Sequence, residues 1–559
     1  MIASIPEKSR IFKKEGEFEP YLTPKPVSTG RRFLYTIRNL IGLALDGSKE
    51  YLSYRKKEHL PKKFKFRLLS FAVFCLTVFK SKRYANKPFG VQLRSRLSDM
   101  GATYIKLGQI LALRSDLLPR SITDELALLF DKLTVIDYDQ FEQLVEENLN
   151  MPVSVVFNKI VTTPLASASI AQVHLATLKN GEDVVIKLLK PGTRELILTD
   201  SKIIRRVGSF LEYFIPRTQP KKMLNEFCEY TSKEVNFKLE ADNAIEFANN
   251  FSKHSTVVFP KIYRQYSNEN MIVMEFLKGV KPDAYAQKED VTEEMRAKVA
   301  DIGAFAIIKM IYNDGFFHAD LHPGNLLILD ENKCAFIDLG MVGRFSEATR
   351  KNLLYYFNAL VLGNSEAAAR YMTLVAKPGR KADIQGFRKE FVEVVKAYQK
   401  NASFNEFSVG KLIMVTTELG AKYDMYYPME LILMSKAMVT FEGVGEMVKP
   451  GLDIVEVSKK HVRRLLIHEV NPKELMKASL QNAPEFIDTF TRGPGLFVEV
   501  LNRLEQELNA KPHNKMDGIK GVILAGFFIL SAAIVYGTGG AIAVYVALFT
   551  IGIVLALKS

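Results

Sequence analysis

The chain has 559 residues, more than the roughly 250–300 over which one hydrophobic core grows, so at least two structural units are expected. Its 48% hydrophobic, 25% charged and 11% aromatic residues exclude extended disorder, and its three widely separated cysteines support neither a zinc module nor a disulfide framework. The net charge of +14 suggests a nucleic-acid partner, but all of it lies in residues 1–100, where 22 Lys and Arg face 8 Asp and Glu; the remainder balances at 54 of each.

Residues 1–95 are expected to form a basic helical region that contacts a membrane surface. Two segments, Tyr54–Glu58 and Pro61–Arg67, interleave cations with aromatic rings, a composition that suits anionic lipid as well as nucleic acid. The apolar run Leu68–Phe79 has 12 residues, which favours a core or interfacial helix over a membrane span. The apolar C-terminus of the chain decides in favour of a membrane.

A helical pattern covers residues 96–150 and gives way to β-branched segments. Strands are predicted near Ser154–Val156, Ser169–Leu178 and Glu182–Lys190, and the Asn-Gly turn at residues 179–182 predicts that the last two form an antiparallel hairpin. We therefore expect a sheet-containing lobe over residues 151–280.

The second strand of this hairpin ends in Val184-Val-Ile-Lys187, which resembles the VAIK lysine that holds the α- and β-phosphates of ATP in protein kinases. Its partner should be a glutamate on a helix. The helical stretch Lys221–Asn250 offers Glu234 and Glu240, which lie about 120° apart around a helix, so only one of them can face Lys187.

A protein kinase covers the phosphates with a GxGxxGxV loop, because glycine lets backbone amides approach an anion closely. Here each glycine position is alanine, which should alter phosphate geometry or nucleotide selectivity. Glu275, in the strand predicted at residues 270–276, is also expected to contact nucleotide. The predicted loop residues are Ala166, Ser167, Ala168, Ser169, Ile170, Ala171, Gln172 and Val173.

The most informative stretch is His318-Ala-Asp-Leu-His-Pro-Gly-Asn325, followed 13 residues later by Asp338-Leu-Gly340. Phosphoryl transfer needs oxygen ligands for Mg²⁺ and a carboxylate near the attacking nucleophile. Asp320, Asn325 and Asp338 supply that set at the spacing found in kinases. They belong to a mainly helical lobe that is expected over residues 281–515.

Peptide phosphorylation is disfavoured by the chain that follows. Only Met341–Phe345 separate Gly340 from a helical pattern at residues 346–357, and this short segment contains no APE tripeptide. The activation segment is therefore nearly absent, and an extended peptide substrate has no platform.

Residues 521–557 contain no charged side chain over 37 positions, too many for one helix across a bilayer of roughly 30 Å. The glycine-rich break Gly537–Gly540 leaves two apolar helices, Gly521–Tyr536 and Ala541–Leu557. A transmembrane helical hairpin is thus predicted over residues 516–559, with a buried hairpin in a soluble core as the alternative.

Orientation follows from the flanking charges. Lys520 and Lys558 lie outside the two helices and the turn has no cation, which places both ends on the cytoplasmic side. Residues 1–10 lack the apolar region of a signal peptide. We therefore expect a multi-pass protein of the bacterial cytoplasmic (inner) membrane with its large domain in the cytoplasm.

One further motif, Lys106-Leu-Gly-Gln109, resembles the KxGQ element of the UbiB family of atypical kinases, which supports ubiquinone biosynthesis. The similarity runs from about residue 96 to 345. It implies an α+β, atypical protein-kinase-like bilobal fold with family-specific N-terminal helices, of which residues 96–150 form the KxGQ extension, and with the C-terminal transmembrane hairpin.

The resemblance also implies roles for the residues already singled out. Lys187 would bind phosphates with Glu240 as its helix partner, Asp320 would act in catalysis, and Asn325 and Asp338 would bind Mg²⁺. The implied cofactors are therefore ATP and Mg²⁺.

Four more residues belong to elements specific to the family. Lys106 and Gln109 are i, i+3 neighbours that can enter a cleft side by side. Glu234 and Asn236 occupy the ExD motif, and Glu234 is expected to contact Lys106. Asn236 replaces the aspartate of the motif and removes one negative charge.

The resemblance implies an enzyme, an atypical kinase or ATPase that binds Mg-ATP and assists quinone-precursor lipids. Alternatives are a kinase that phosphorylates a lipid or small metabolite, and a nucleotide-binding scaffold of the quinone biosynthesis complex. Expected partners are anionic membrane lipids, quinone-precursor lipids and other ubiquinone biosynthesis enzymes, with no nucleic acid; a homodimer is left open.

Overall fold

A computed structural model describes most of the chain before residue 470. The chain divides into two units, Met1–His468 and Glu469–Ser559. The predicted transmembrane hairpin and the basic segments at residues 54–67 lie outside the described ranges, and among the helices that are described none is both long and apolar enough to cross a bilayer. The described residues are 19–20, 30–43, 87–112, 119–129, 134–214, 220–329, 333–401, 408–452 and 454–469.

Short strands and longer helices alternate in the first half, and helices dominate the second. The strands are β1 (Glu19–Pro20), β2 (Thr134–Val135), β3 (Phe157–Ile160), β4 (Ala166–Ser167), β5 (Ala171–Leu178), β6 (Asp183–Leu189), β7 (Val257–Val258), β8 (Met271–Glu275), β9 (Gly279–Val280), β10 (Phe316–His318), β11 (Leu326–Leu329), β12 (Lys333–Phe336), β13 (Val342–Arg344), β14 (Lys377–Pro378) and β15 (Met425–Tyr426). The helices are α1 (30–43), α2 (Phe89–Met100), α3 (Ala102–Ala112), α4 (Arg120–Ala127), α5 (Tyr138–Leu149), α6 (Val153–Val156), α7 (Thr193–Phe214), α8 (Pro220–Glu234), α9 (Phe237–Asn250), α10 (Pro282–Ala286), α11 (Glu293–Ile308) with a π-helical continuation (Lys309–Asp314), α12 (Glu347–Val361), α13 (Ser365–Val375), α14 (Ile384–Asn401), α15 (Val409–Lys422), α16 (Met429–Val448) and α17 (Ile454–Glu469).

The N-terminal lobe is an antiparallel sheet of order β3-β5-β6-β8, with β4 paired to β5. Gly181 adopts a positive φ of 89° in the turn between β5 and β6, which explains the Asn-Gly signal. One face of the sheet packs on α5, so this helix of the predicted KxGQ extension belongs to the core of the sheet. The register opposes Val173 to Lys187.

Two elements differ from the sequence-based expectation. The strand predicted near Ser154–Val156 is wrong: Pro152 precedes the short helix α6, and the strand begins at Phe157, because a proline with its fixed φ favours the start of a helix. The single helix predicted over residues 221–250 is two helices, since the chain breaks at Val235–Asn236.

A separate helical layer carries the KxGQ sequence. Helices α2, α3 and α4 pack with α7 and α8 around Leu97, Tyr104, Leu126, Ile204 and Phe227. Because α8 leads directly into α9, this layer is joined to the helix that faces β6.

The second lobe has one large core built from α11–α16 and two small sheets, of order β10-β13 and β7-β12-β11-β9. The loop after β10 holds the predicted catalytic residues, and the turn after β12 holds Asp338. Both loops therefore open toward the cleft beneath the first sheet, where β6 presents Lys187.

Candidate active site

Lys187 lies at the centre of an ionic cluster in which it and Glu240 are nearly buried while Asp338 is exposed. Its Nζ is 2.8 and 2.9 Å from the two carboxylate oxygens of Glu240 on α9, and 2.9 Å from Oδ1 of Asp338. The structure thus selects Glu240, not Glu234, as the partner of Lys187. One ammonium group joins the sheet, the helix and the turn after β12.

Lys187 is the one cation that contacts both carboxylates, and they share it unequally. Burial alone lowers the pKa of Lys187, but Asp338 and Glu240 outweigh that effect and hold it above its usual value. Burial raises the pKa of Glu240 to about 7 despite Lys187. Burial would also raise the pKa of Asp338, yet Lys187 prevails and lowers it to about 2. The contrast follows from the neighbouring charges: Asp338 and Glu234 also raise the pKa of Glu240, whereas His318 and Lys106 join Lys187 in lowering that of Asp338.

The loop that carries Asp320 is held by hydrogen bonds to its own backbone. The amide of Asp320 donates to His318 Nδ1 at 3.1 Å, and Asn325 Nδ2 donates to the Asp320 carbonyl oxygen at 3.0 Å. The backbone amide of Ile337 donates to the Asn325 carbonyl oxygen at 2.9 Å, which ties this loop to the strand before Asp338. His318 is fully buried, and burial lowers its pKa, which favours the neutral ring.

The turn at Asp338 is fixed from two sides. Asp338 has a φ of 57°, in the left-handed region that aspartate and asparagine tolerate better than most residues. Asn243 on α9 donates its Nδ2 to the Leu339 carbonyl oxygen at 3.0 Å. The helix that carries Glu240 therefore also positions the turn that carries Asp338.

The short segment after this turn forms β13 and pairs with β10. Arg344 makes two hydrogen bonds to Glu246 on α9, at 2.8 and 2.7 Å. A Cβ at Gly343 would lie 2.1 Å from the ring of Phe317, so this position requires glycine. The segment is a pinned strand and leads at once into α12, whose N-cap is Ser346.

A cavity of about 230 Å³ lies between the lobes beside these residues. Lys187, Asn325 and Asp338 line its polar end, and Glu275 lines it from the end of β8. The apolar walls suit a planar aromatic ring such as a purine. They include Val173, Val185, Met274, Leu277, Leu327 and Ile337.

The alanine-rich segment contributes less to the cavity than predicted. Of its eight residues, Ala166 and Val173 line the cavity. The side chain of Gln172 points away from the cavity: it is buried and exchanges hydrogen bonds of 2.9 and 3.0 Å with the backbone of Ile136, because alternate residues of a strand face opposite sides. Ser167 donates to the Thr134 carbonyl oxygen at 2.5 Å.

The remaining loop residues, Ala168, Ser169, Ile170 and Ala171, form a tight connection into β5. The Ala168 amide donates to the Ala171 carbonyl oxygen at 2.9 Å, and Ala171 is buried. Lys190 donates a hydrogen bond to the Ala168 carbonyl oxygen, and this contact helps to fix the loop. None of these four lines the described cavity.

The family-specific residues lie at the junction of α3, α8 and α9. Lys106 donates to Glu234 at the end of α8. Gln109 does not enter the cleft beside Lys106; its Nε2 donates to the Leu129 carbonyl oxygen at 3.2 Å. Asn236 is the N-cap of α9, where its Oδ1 accepts from the Lys238 amide at 3.2 Å. Asparagine serves as well as aspartate in that role.

The donor atoms fit a magnesium ion that also binds phosphate oxygens. Asn325 uses its amide nitrogen on Asp320, so its side-chain oxygen is the atom left for a cation, and Asp338 adds a carboxylate. Within the described part of the chain, no three His, Cys, Asp or Glu side chains cluster to hold a metal by themselves. Such a pair matches the usual habit of Mg²⁺, which takes few protein ligands and completes its shell with phosphate and water.

One residue of the site was missed by sequence reasoning. Lys436 on α16 places its Nζ 3.1 Å from Asp320 Oδ1. Burial would raise the pKa of Asp320, but Lys436 and His322 outweigh it and lower that pKa. No local motif marks Lys436, since it lies 116 residues from Asp320 in the chain.

Comparisons with known proteins agree with this geometry. Residues 128–372 match the ABC1 atypical kinase-like domain, and residues 393–453 match the UbiB helical domain. A probable protein kinase UbiB of Shewanella baltica (strain OS185) is 30% identical over 480 residues, 84% of this chain and 86% of the relative. That of Erwinia tasmaniensis is 30% identical over 462 residues, 81% and 84% of the two chains.

Among solved structures, the complex of Rv3197 with erythromycin from Mycobacterium tuberculosis aligns with a TM-score of 0.46 and 21% identity, covering 66% of this chain and 94% of that one. The assignment rests on the sequence comparisons, which confirm the resemblance first indicated by the KxGQ and kinase-like motifs. With both domain models matched in order and relatives aligned over more than four fifths of their length, the chain belongs to the UbiB family of atypical kinases.

Proposed function

We propose that this atypical kinase binds Mg-ATP and uses it to support ubiquinone biosynthesis by ATP-driven handling of lipid quinone precursors. The observation that carries the proposal is the convergence of Lys187, Glu240 and Asp338 with Asn325 at the polar end of one cavity. The role in ubiquinone biosynthesis rests on the family of the relatives.

Each polar residue has a part that its contacts support. Bound ATP would supply the phosphoryl group, and its Mg²⁺ would neutralise negative charge on the phosphate oxygens. Lys187, oriented by Glu240, is positioned to donate to phosphate oxygens. Asn325 and Asp338 offer the oxygen atoms a cation needs. Asp320, on the loop beside them, can accept the proton of an attacking hydroxyl group or water.

The acceptor is proposed to be small or lipidic and not an extended peptide. The segment Met341–Phe345 is a strand held by β10 and by Glu246, and it leaves no loop on which a peptide could lie. The predicted hairpin at residues 516–559 would keep the site at the cytoplasmic face of the inner membrane. There it would meet anionic lipids, quinone precursors and other enzymes of the pathway.

The test is Mg²⁺-dependent phosphate release from ATP by the full-length chain in anionic-lipid vesicles, with and without a quinone-precursor analogue. Asp338→Asn should abolish release without unfolding the protein, because asparagine tolerates the same φ. The matched control is Asp242→Asn on the outer face of α9, where Asp242 forms an exposed pair with Arg264; it should keep normal release.

Two results would redirect the proposal. Transfer of labelled γ-phosphate to an extractable lipid or metabolite, in place of free phosphate, would favour a true small-molecule kinase, which the same residues permit. Tight ATP binding with no turnover under any condition would contradict enzymatic activity and support a nucleotide-binding scaffold.

A further inference from the structure

Asp320, the carboxylate proposed to accept the proton, is paired with a cation that lies outside the kinase-like domain. Lys436 Nζ lies 3.1 Å from Asp320 Oδ1, and the two side chains are 33% and 29% exposed. The kinase-like match ends at residue 372, whereas Lys436 falls inside the helical domain matched at residues 393–453. The contact therefore joins two domains at the loop that carries Asp320.

The helix that presents Lys436 is rigidly held. Its neighbours Met434, Ser435 and Ala437 are buried to 1% exposure or less. Ser435 also donates its hydroxyl to the Ile432 carbonyl oxygen at 2.8 Å, within the helix. Lys436 is thus a partly exposed cation on an otherwise buried stretch of α16, and its backbone cannot shift without disturbing the core of the lobe.

The other polar contacts of Asp320 hold its backbone more firmly than its carboxylate. Its amide and carbonyl groups are bonded by His318 and Asn325, whereas His322 Nε2 lies 3.6 Å from Oδ2, beyond a good hydrogen bond. Lys436 supplies the close charge-assisted hydrogen bond to the side chain. Such bonds are shorter and stronger than neutral ones, so they fix a carboxylate effectively.

We infer that Lys436 is a positioning residue, through which the helical domain orients the Asp320 carboxylate for phosphoryl transfer. The inference rests on the proposed Mg-ATP chemistry and deepens it, because it makes α16 a working part of the active site. Lys187 cannot take over this task, since it is engaged by Glu240 and Asp338 on the other side of the cavity.

The test compares three variants of the full-length chain in anionic-lipid vesicles, with phosphate release measured over a range of ATP concentrations. Lys436→Met should lower kcat at least tenfold while KM for ATP changes less than about threefold, because a misoriented catalytic carboxylate affects turnover more than binding. Lys436→Arg, which keeps a cation at the position, should recover at least a third of kcat. Lys449→Met is the matched control at the end of the same helix; Lys449 is 28% exposed, and the variant should stay within twofold of the unaltered protein.

A double variant separates positioning from a structural role. If Lys436 acts through Asp320, adding Lys436→Met to Asp320→Asn should lower the residual kcat no further, measured with labelled ATP. Additive losses, or a Lys436→Met loss that arginine does not recover, would overturn the inference in favour of a structural role. Unaltered kcat in Lys436→Met would overturn it while leaving the proposed function intact. No turnover by the unaltered protein would defeat both.

Discussion

At the scale of single residues, the site depends on the contacts of one ammonium group, that of Lys187, with the carboxylates of Glu240 and Asp338. Lys187 and Glu240 are both nearly buried, so neither charge has much access to water. Burying an unpaired charge costs several kcal/mol, and the pair mainly avoids that cost. The cluster is therefore more sensitive to loss of one partner than to loss of both.

Lys187→Met should destabilise the protein by about 3–5 kcal/mol, because it leaves Glu240 buried without its cation. The double variant Lys187→Met with Glu240→Gln should be more stable than the single one. Thermal unfolding in detergent measures both. As a control, Lys261→Met removes a 60% exposed partner of Glu182 and should leave the melting temperature nearly unchanged. A double variant that is less stable than Lys187→Met would contradict this account.

At the scale of elements, the junction between α8 and α9 sets the direction of Glu240. Lys106 fastens the end of α8, and Asn236 caps the start of α9 four residues before Glu240. The replacement of aspartate by asparagine in the ExD motif therefore removes a charge but keeps a helix cap.

Asn236→Asp should leave stability unchanged or slightly raised, because aspartate caps as well as asparagine and adds negative charge at a helix N-terminus. Asn236→Ala should cost about 1 kcal/mol, since the Lys238 amide loses its acceptor. Thermal melting of the two variants side by side is the measurement. Equal losses in both would show that the cap does not stabilise α9.

A second helix cap, at the start of α15, should make the stability of the protein depend on pH. Ser408 accepts from the Lys411 amide at 3.0 Å and donates to Glu442 on α16, whose pKa is raised to about 7 by burial. The folded state thus holds a proton on Glu442 that the unfolded chain has lost above about pH 4.5. Glu442 alone should therefore lower stability by about 3 kcal/mol as pH rises from about 4.5 to 7.

Glu442→Gln, which mimics the protonated carboxyl group, should remove that part of the decline. Melting temperatures of the variant and the unaltered protein at pH 5 and pH 8 should differ mainly at the higher pH. The same slope in both proteins would assign the pH dependence to other groups.

The sequence predicted secondary-structure elements correctly where several local signals agreed. It did not predict features that depend on contacts between distant parts of the chain. The alternation of residue types and the Asn-Gly turn located β5 and β6 correctly. The spacing of the motifs was enough to predict Asp320, Asn325 and Asp338 as one set, and Asn325 does contact Asp320. The break before Asn236 went unpredicted because both flanking segments share one helical periodicity. The direction of Gln172 and the arrival of Lys436 depend on packing between distant segments, which spacing in the chain does not encode.

At the scale of the whole molecule, charge is distributed unevenly along the chain. The excess of cations lies in residues 1–100, while the kinase-like and helical domains are close to neutral. This distribution supports an N-terminal region that attaches to an anionic surface and a catalytic region that does not.

We expect residues 1–468 to bind vesicles that contain anionic lipid, and to lose binding as NaCl rises from about 50 to 500 mM, because screening weakens attraction at a surface. Replacing the four cations of Pro61–Arg67 by glutamine should weaken binding at least tenfold in vesicle co-sedimentation. The control replaces four exposed lysines of the neutral region and should have little effect: Lys377, Lys381, Lys389 and Lys396. Binding that ignores salt would contradict the electrostatic account.

The pinned strand β13 also bears on how the enzyme can be regulated. Protein kinases are switched by phosphorylation of a long loop after the metal-binding aspartate. Between Gly340 and Ser346 this chain has Met, Val, Gly, Arg and Phe, and none carries a hydroxyl group. The first hydroxyl, on Ser346, accepts from the Thr349 amide as the cap of α12. A phosphorylation switch within Met341–Phe345 therefore has no hydroxyl group to act on.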